Sequence, residues 1–338
     1  MTLTVAQLSE SELLARIFPR LNAGTTTLLG PGDDAAIIAA PDSRTVISID
    51  TQVQDRDFRL LWPNGTASSG HDVGWKAAAQ NLSDINAMGA VATAMVVSLT
   101  LPGTTPVRWV EEFAEGLSAA TVALGAPQCS IAGGDLSGGS EIVVTVAVTG
   151  SLEGLDPVLR SGARVGDQVA VCGNVGVSAA GWAVQESSIV PAAQTPAMAA
   201  AAALFARPEP PLAAGPAAAK AGATSMMDIS DGLLRDATRI AGASGAGLDL
   251  DGAVLAGLAA KLGDTAAALG KNPLEWVLTG GEDHGLLSTF PAGATLPEGF
   301  IGIGSVVSPE AGREPVTVDG QNVKGALEGA LGWDHFAV

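Results

Sequence analysis

The chain has 338 residues, 47% hydrophobic and 15% charged, and its 35 acids against 17 bases leave a net charge of −18. This excludes a disordered chain, which joins low hydropathy to high charge. It also leaves no basic face for nucleic acid, although an acidic chain still binds phosphates where metal ions invert the local charge. A chain this long buries about three quarters of the surface that its unfolded form exposes, and it is a prior for two domains.

Cys129 and Cys172 stand far apart with no paired spacing. No disulfide framework or cysteine zinc site is expected, and the reducing cytoplasm is the expected setting. The opening MTLTVAQLSESELL has no basic segment followed by an apolar run, so no signal peptide is expected. The Ala-rich stretch 192–223 is broken by Arg207, Glu209, Lys220 and prolines, so no membrane span is expected.

Ser9-Glu-Ser-Glu12 is a capping box ahead of Leu13, Leu14, Ile17 and Leu21, whose spacing predicts a helix ending near Asn22-Ala-Gly24. Apolar runs 35–39 and 45–49 read as short strands, with Gly30-Pro-Gly-Asp-Asp34 before the first and Asp50 at the end of the second. Residues 70–88 read as a helix closed by Gly89, 91–99 as a buried strand, and Pro106 as the first residue of a second helix. Residues 128–132 and 141–148 read as strands. Between them, Gly133-Gly-Asp-Leu-Ser-Gly-Gly139 reads as a loop that lets backbone approach a ligand.

The pattern changes near 150–155, where a domain boundary is expected. Strand 168–172 leads through Gly173-Asn-Val-Gly176 into a helix, and two Ala-rich helices follow, split by Arg207-Pro-Glu-Pro-Pro211. Strand 224–227 precedes Asp228-Ile-Ser-Asp-Gly232, which opens a helix, and Gly280-Gly-Glu-Asp283 precedes strand 285–290. The class expected is α/β (α+β), in domains 1–150 and 151–338.

The placing of the acids is more informative than their number. Asp33, Asp34, Asp50, Asp84, Asp135, Asp228 and Asp231 lie at strand ends, helix starts or glycine turns, where α/β proteins gather ligands. An isolated carboxylate in apolar surroundings is costly unless paired or metal-bound. With only five lysines in the chain, hard cations are the natural partners, and Mg²⁺ takes carboxylates together with substrate phosphates. Taken singly, each acid reads equally well as a turn or cap residue. No Walker phosphate loop or Gly-x-Ser-x-Gly elbow is present, and the three histidines are too dispersed to suggest a zinc cluster.

The ordered set Gly30-Pro-Gly-Asp-Asp-Ala-Ala36, Asp50-Thr51, Asn81-Leu-Ser-Asp-Ile-Asn-Ala-Met-Gly89, Gly133-Gly-Asp135, Arg160-Ser-Gly-Ala-Arg-Val-Gly-Asp167, Asp228-Ile-Ser-Asp-Gly232, Gly280-Gly-Glu-Asp283 and Gly332-Trp-Asp-His-Phe336 resembles the thiamine-monophosphate kinase family of the aminoimidazole-ribonucleotide-synthetase superfamily. The resemblance implies transfer of the γ-phosphoryl of ATP onto thiamine phosphate, as the last step in making thiamine diphosphate, assisted by several Mg²⁺ ions. It implies an N-terminal metal- and ATP-binding domain whose sheet pairs across a homodimer into a β-barrel, and a C-terminal α/β domain that completes the ATP and substrate site.

Carried over by motif, Asp34, Ser48, Ile49, Asp50, Asp84, Asp135, Asp228 and Asp231 would hold metal, Ile49 only through its backbone carbonyl. Gly134, Asp135, Arg160 and Ser230 would touch ATP. Asp57, Glu282 and Trp333 would touch the substrate, Asp57 standing where many relatives carry histidine. No general base is implied, because the acceptor phosphate is already largely ionised. Like charges about 4 Å apart repel by roughly 4 kcal/mol per pair at an effective dielectric of 20, and metal-bridged phosphates remove that barrier. The readings left open are another ATP-dependent enzyme of the same superfamily and a non-catalytic metal- or nucleotide-binding relative.

Overall fold

The computed structural model describes residues 3–29, 37–310, 312–323 and 332. Contacts divide the chain into two units, Met1–Ile85 with Ala90–Gly154, and Asn86–Gly89 with Leu155–Val338. Among the described residues, no single helix is long and apolar enough to cross a membrane.

The first unit opens with α1 (Glu10–Ile17), whose N-terminus is held by the expected box: Ser9 Oγ accepts from the Glu12 amide, and the Glu12 carboxylate accepts from the Ser9 amide at 2.8 Å. Strands β1 (Thr27–Leu29) and β2 (Ile37–Ile38) pair antiparallel. There follow β3 (Val46–Val53), α2 (Gly70–Ala87), β4 (Val91–Leu101), α3 (Val107–Ala123), β5 (Ser130–Gly138) and β6 (Val143–Ser151). The four longer strands form a sheet in the order β3-β6-β4-β5, with β4 and β5 parallel and the other pairs antiparallel. Its inner face buries Met95, Val97, Leu99, Val144, Val146 and Val148. Helices α2 and α3 touch backbone to backbone: a Cβ on Gly70 would lie 1.8 Å from the Trp109 carbonyl oxygen, so only glycine fits there.

Three local expectations are corrected. Asp50 lies inside β3 rather than at its end, because the polar residues Asp50 and Gln52 continue an inner face that α2 matches with polar groups of its own. The glycine run 133–138 is strand β5 rather than a loop. Glycines disfavour strands by propensity, but pairing with β4 overrides this, and a Cβ on Gly134 would lie 2.0 Å from the Val97 carbonyl oxygen. Pro106 is the N-cap of α3 rather than its first residue.

The second unit contains β7 (Gln168–Cys172), α4 (Val177–Gln185), α5 (Pro196–Ala206), α6 (Ala214–Lys220), β8 (Ser225–Ile229), α7 (Leu233–Ser244), β9 (Gly247–Leu250), α8 (Gly252–Ala260), α9 (Gly263–Leu269), α10 (Pro273–Thr279), β10 (Gly285–Phe290), β11 (Phe300–Val307), β12 (Val316–Val318) and β13 (Gln321–Asn322). Its sheet runs β13-β12-β9-β11-β7-β10-β8, antiparallel except for the β9–β12 pair. Alternation along β7 places Val169 and Val171 in a core with Leu233, Leu234 and Ile240 of α7. It places Ala170 and Cys172 on the other side, with Ala214 and Ala218 of α6. Helices therefore cover both faces of this sheet, and the class is mixed α/β. Asp228, expected to open a helix, belongs instead to strand β8 and is buried.

Candidate active site

In the first unit the inner face of β3 presents Ser48, Asp50 and Gln52 at every second residue, the period of a strand. Helix α2 answers with Lys76, Gln80 and Asp84, four residues apart and so on one face. Ser48 Oγ donates to Asp84 Oδ2 at 2.5 Å, and Gln52 Nε2 donates to Gln80 Oε1 at 2.8 Å. The Lys76 ammonium donates to the Asp57 carbonyl at 3.1 Å. Gln52 and Lys76 are buried to 1% and 3% exposure. Buried polar groups are tolerable only when satisfied, and this seam satisfies most of them in pairs. Gln52 Oε1 has no hydrogen-bond partner among the described residues.

The Asp57 carboxylate accepts from the Val53 amide at 2.7 Å, closing its own turn. Ile49 faces the opposite side of β3 from Asp50 and is 63% exposed.

Asp135 is not brought to Asp50 and Asp84. Strands β3 and β5 are the two outer strands of the sheet. Two strands separate them, placing their axes about 14 Å apart at ~4.8 Å per strand. Cross-strand register puts Thr51, Thr145, Ser98 and Asp135 in one row on the outer face, whereas Asp50 pairs with Val146 on the inner face. Gly134 is fixed by its close approach to Val97. Asp34 lies outside the described residues.

The second unit gathers three of the sequence motifs. The Glu282 amide donates to the Ser230 carbonyl at 2.8 Å, and the His284 amide to the Ile229 carbonyl at 2.9 Å, so loop 280–284 lies along loop 228–232. A Cβ on Gly332 would lie 2.4 Å from the Asp231 carbonyl oxygen and 2.9 Å from Arg235 Cβ, which places Gly332 against the same loop. Ser230, Asp231 and Glu282 are thus brought together. Trp333 follows Gly332 but lies outside the described residues. Glu282 and His284 both adopt left-handed backbone, with φ of 63° and 53°. Such conformations in non-glycine residues are costly and collect at functional sites.

Asp283, between them, accepts from the Gly176 amide and, at 2.8 Å, from the Ser178 amide at the start of α4. Burial pushes its carboxyl up to about 6 despite those donors. Asp228 Oδ2 lies 3.4 Å from His284 Nδ1. Asp236 is fully buried and accepts from the Asp231 and Gly232 amides at 3.0 and 3.1 Å. Burial, then the nearby Asp228 charge, push its carboxyl up to about 7. Arg239 spans two acids, donating to Asp236 Oδ1 at 2.6 Å and Asp231 Oδ2 at 2.5 Å. Arg160 is exposed, and its carbonyl accepts from Ser244 Oγ at 2.9 Å.

Among the described residues, no three His, Cys, Asp or Glu side chains stand close enough to hold a metal ion together. Mg²⁺ does not need three: it commonly takes one or two carboxylates and completes its shell with water and phosphate oxygens. The donor set of Ser48, Asp50 and Asp84, all hard oxygens beside the unpartnered Gln52 Oε1, fits such an ion. Asp231, held by Arg239, does not. Sequence reasoning missed Lys76, Gln52, Asp236, Arg239 and Asp283. The four-residue spacing of Lys76, Gln80 and Asp84 was the available signal for the first of these.

A protein from Mycobacterium tuberculosis, described as thiamine-monophosphate kinase, is 43% identical over 336 residues, covering 98% of this chain and 93% of its own. The chain belongs to the thiamine-monophosphate kinase family. It is an enzyme of that family. The family model described as AIR synthase related protein, N-terminal domain, matches residues 32–152. The crystal structure of the thiamine monophosphate kinase from Aquifex aeolicus superposes with a TM-score of 0.71 at 30% identity, covering 86% of this chain and 91% of that one. A structure described as AaThiL complexed with AMPPCP and TMP superposes with a TM-score of 0.73 at 29% identity, covering 99% of this chain and 100% of that one. The thiamine-monophosphate kinase architecture thus extends over both units.

Proposed function

We propose that this chain transfers the γ-phosphoryl group of ATP to the phosphate of thiamine phosphate, giving thiamine diphosphate and ADP. The observation that carries this reading is the meeting of loops 228–232 and 280–284 with Gly332 in one unit, three motifs distant in sequence. Support also comes from the family and from the relative complexed with AMPPCP and TMP.

A phosphate oxygen of thiamine phosphate attacks the γ-phosphorus in line, the bond to the ADP oxygen breaks, and ADP leaves with that electron pair. The acceptor is already an anion, so the chain needs no general base and acts by positioning and charge neutralisation. Ser48, Asp50 and Asp84 would hold Mg²⁺. Such an ion, when bound, offsets the repulsion between the two phosphate groups. Arg160 would add a bidentate guanidinium to the nucleotide, and Ser230 and Gly134 would line its path. Glu282 would oppose the positive thiazolium ring, with Trp333 offering an aromatic face to it.

A homodimer belongs to the same reading. The outer face of the four-stranded sheet leaves Ile47, Ile49 and Val96 exposed at 72%, 63% and 45%. A second copy laid on this face would cover them and would close the two outer strands into a barrel. Asp135 stands on that face, so its role at the nucleotide would be completed within the dimer.

ADP release measured with ATP, Mg²⁺ and thiamine phosphate tests the reaction. Stoichiometric ADP and thiamine diphosphate are expected, with neither formed when thiamine phosphate is omitted. ATP turnover indifferent to thiamine phosphate would overturn the assignment, and a trapped phosphoryl-protein would overturn direct transfer.

A further inference from the structure

Asp231 stands in the motif where the family resemblance places a metal ligand, yet its surroundings in this chain are those of an ion pair. Its Oδ2 receives Arg239 Nη2 at 2.5 Å and has Arg235 Nε at 3.8 Å. The same guanidinium reaches Asp236 Oδ1 at 2.6 Å. The remaining oxygen of Asp236 takes the amides of Asp231 and Gly232. Asp231, Asp236 and Arg239 therefore form a closed ring with the backbone of the loop. Asp236 is fully buried, while Asp231 keeps 18% of its side chain exposed.

We propose that Arg239 is the resident cation at Asp231, a guanidinium in place of a divalent ion, so that Asp231 ligates no metal in this chain. Arginine stays charged at any working pH and matches carboxylates with a planar fork. A divalent ion at Asp231 would either displace that guanidinium from Oδ2 or sit on the other oxygen beside two guanidinium groups, Arg239 and Arg235, that already neutralise the carboxylate and repel a further cation. Displacement would also strip Asp236 of its only side-chain partner among the described residues, and an uncompensated buried carboxylate is strongly disfavoured. The ring fixes the Ser230-Asp231-Gly232 turn without metal, so this wall of the site is formed before nucleotide and ions arrive. Arg239 and Asp236 are accordingly positioning residues that act through the turn. The inference depends on the kinase reading only for the location of the site.

The test counts Mn²⁺ ions bound per chain by electron paramagnetic resonance, on the full-length protein with saturating AMPPCP. Asp231→Asn is expected to leave the count unchanged. Arg239→Gln, which frees the Asp231 carboxylate, is expected to bind one ion more, and Arg239→Gln with Asp231→Asn to return to the wild-type count. An Asp231→Asn chain that binds one ion fewer overturns the proposal, as does an Arg239→Gln chain that binds no more than wild type. Should Arg239→Gln fail to fold, the Asp231→Asn count decides alone. Thiamine diphosphate formation by the wild type is measured separately, so loss of the kinase reading and loss of this inference give different results.

Discussion

The hydroxyl of Ser48 donates to the carboxylate of Asp84 at 2.5 Å, tying the middle of β3 to the last two turns of α2. The bond orients the carboxylate. Asp84→Asn keeps the shape of the side chain and an oxygen that accepts from Ser48, so the fold should survive while the negative charge is lost. Its kcat with ATP and thiamine phosphate should fall about 100-fold or more, the range for removing one preorganised electrostatic partner. Its melting midpoint should move little. Near-normal turnover in Asp84→Asn would remove this carboxylate from the machinery.

Two glycines with opposite surroundings test how closely β4 and β5 approach. A Cβ on Gly134 would sit 2.0 Å from the Val97 carbonyl oxygen, a rigid backbone atom. Gly134→Ala must push the strands apart and should cost about 1–3 kcal/mol, as overpacking does. Gly257, inside α8, would place its Cβ in open space. Gly257→Ala should stabilise by about 0.5–1 kcal/mol, the helix preference of alanine over glycine. Denaturant titration of both variants should give shifts of opposite sign, and a neutral Gly134→Ala would contradict the close approach.

Some of the acids stand out in the sequence because they depart from the local pattern: Asp50 interrupts an apolar strand, and Glu282 follows paired glycines. Strand alternation and the helical period were enough to find the first helix, α2 and β10. The partners of these acids were not legible. Lys76, Gln80 and Asp84 are visibly four residues apart, but only the register of β3 against α2 shows that Gln52 and the carbonyl of Asp57 face them. Arg239 lies two helical turns beyond Asp231, and it reaches back only because α7 begins at Leu233. The strand character of 133–138 came from pairing with β4, which local propensity opposes. The separation of Asp50 and Asp135 onto opposite faces follows from strand order, which no motif spacing encodes.

Ile47 and Ile49 project from the outer face of β3 at 72% and 63% exposure. An apolar pair on a sheet face is the pattern of a covered surface. Ile47→Asp with Ile49→Asp should place charge there without disturbing the inner face, since alternate residues point to opposite sides. Sedimentation analysis should find the wild type dimeric and the double variant monomeric, with unchanged far-ultraviolet circular dichroism. A monomeric wild type at micromolar concentration would dismiss the dimer.

Asp283 carries a pH signature whose sign can be worked out. Its carboxyl is buried beneath loop 280–284 and holds the Gly176 and Ser178 amides at the start of α4. Burial outweighs those donors and raises it from 3.8 to about 6 in the folded chain. Between about pH 4 and pH 6 the folded form therefore keeps a proton that the unfolded chain has released. Stability contributed by this group is fully present below pH 4, falls as pH rises through that window, and levels off above it. Two pKa units correspond to about 3 kcal/mol. Asp283→Asn removes the titration and leaves a constant offset from its weaker hold on the two amides. Melting midpoints of wild type and Asp283→Asn, measured from pH 4 to pH 7, should differ by an amount that changes across pH 4–6 and is constant above. Subtracting one curve from the other cancels every other carboxylate. Parallel curves through the whole range would mean that Asp283 ionises in the folded chain as it does in the unfolded one.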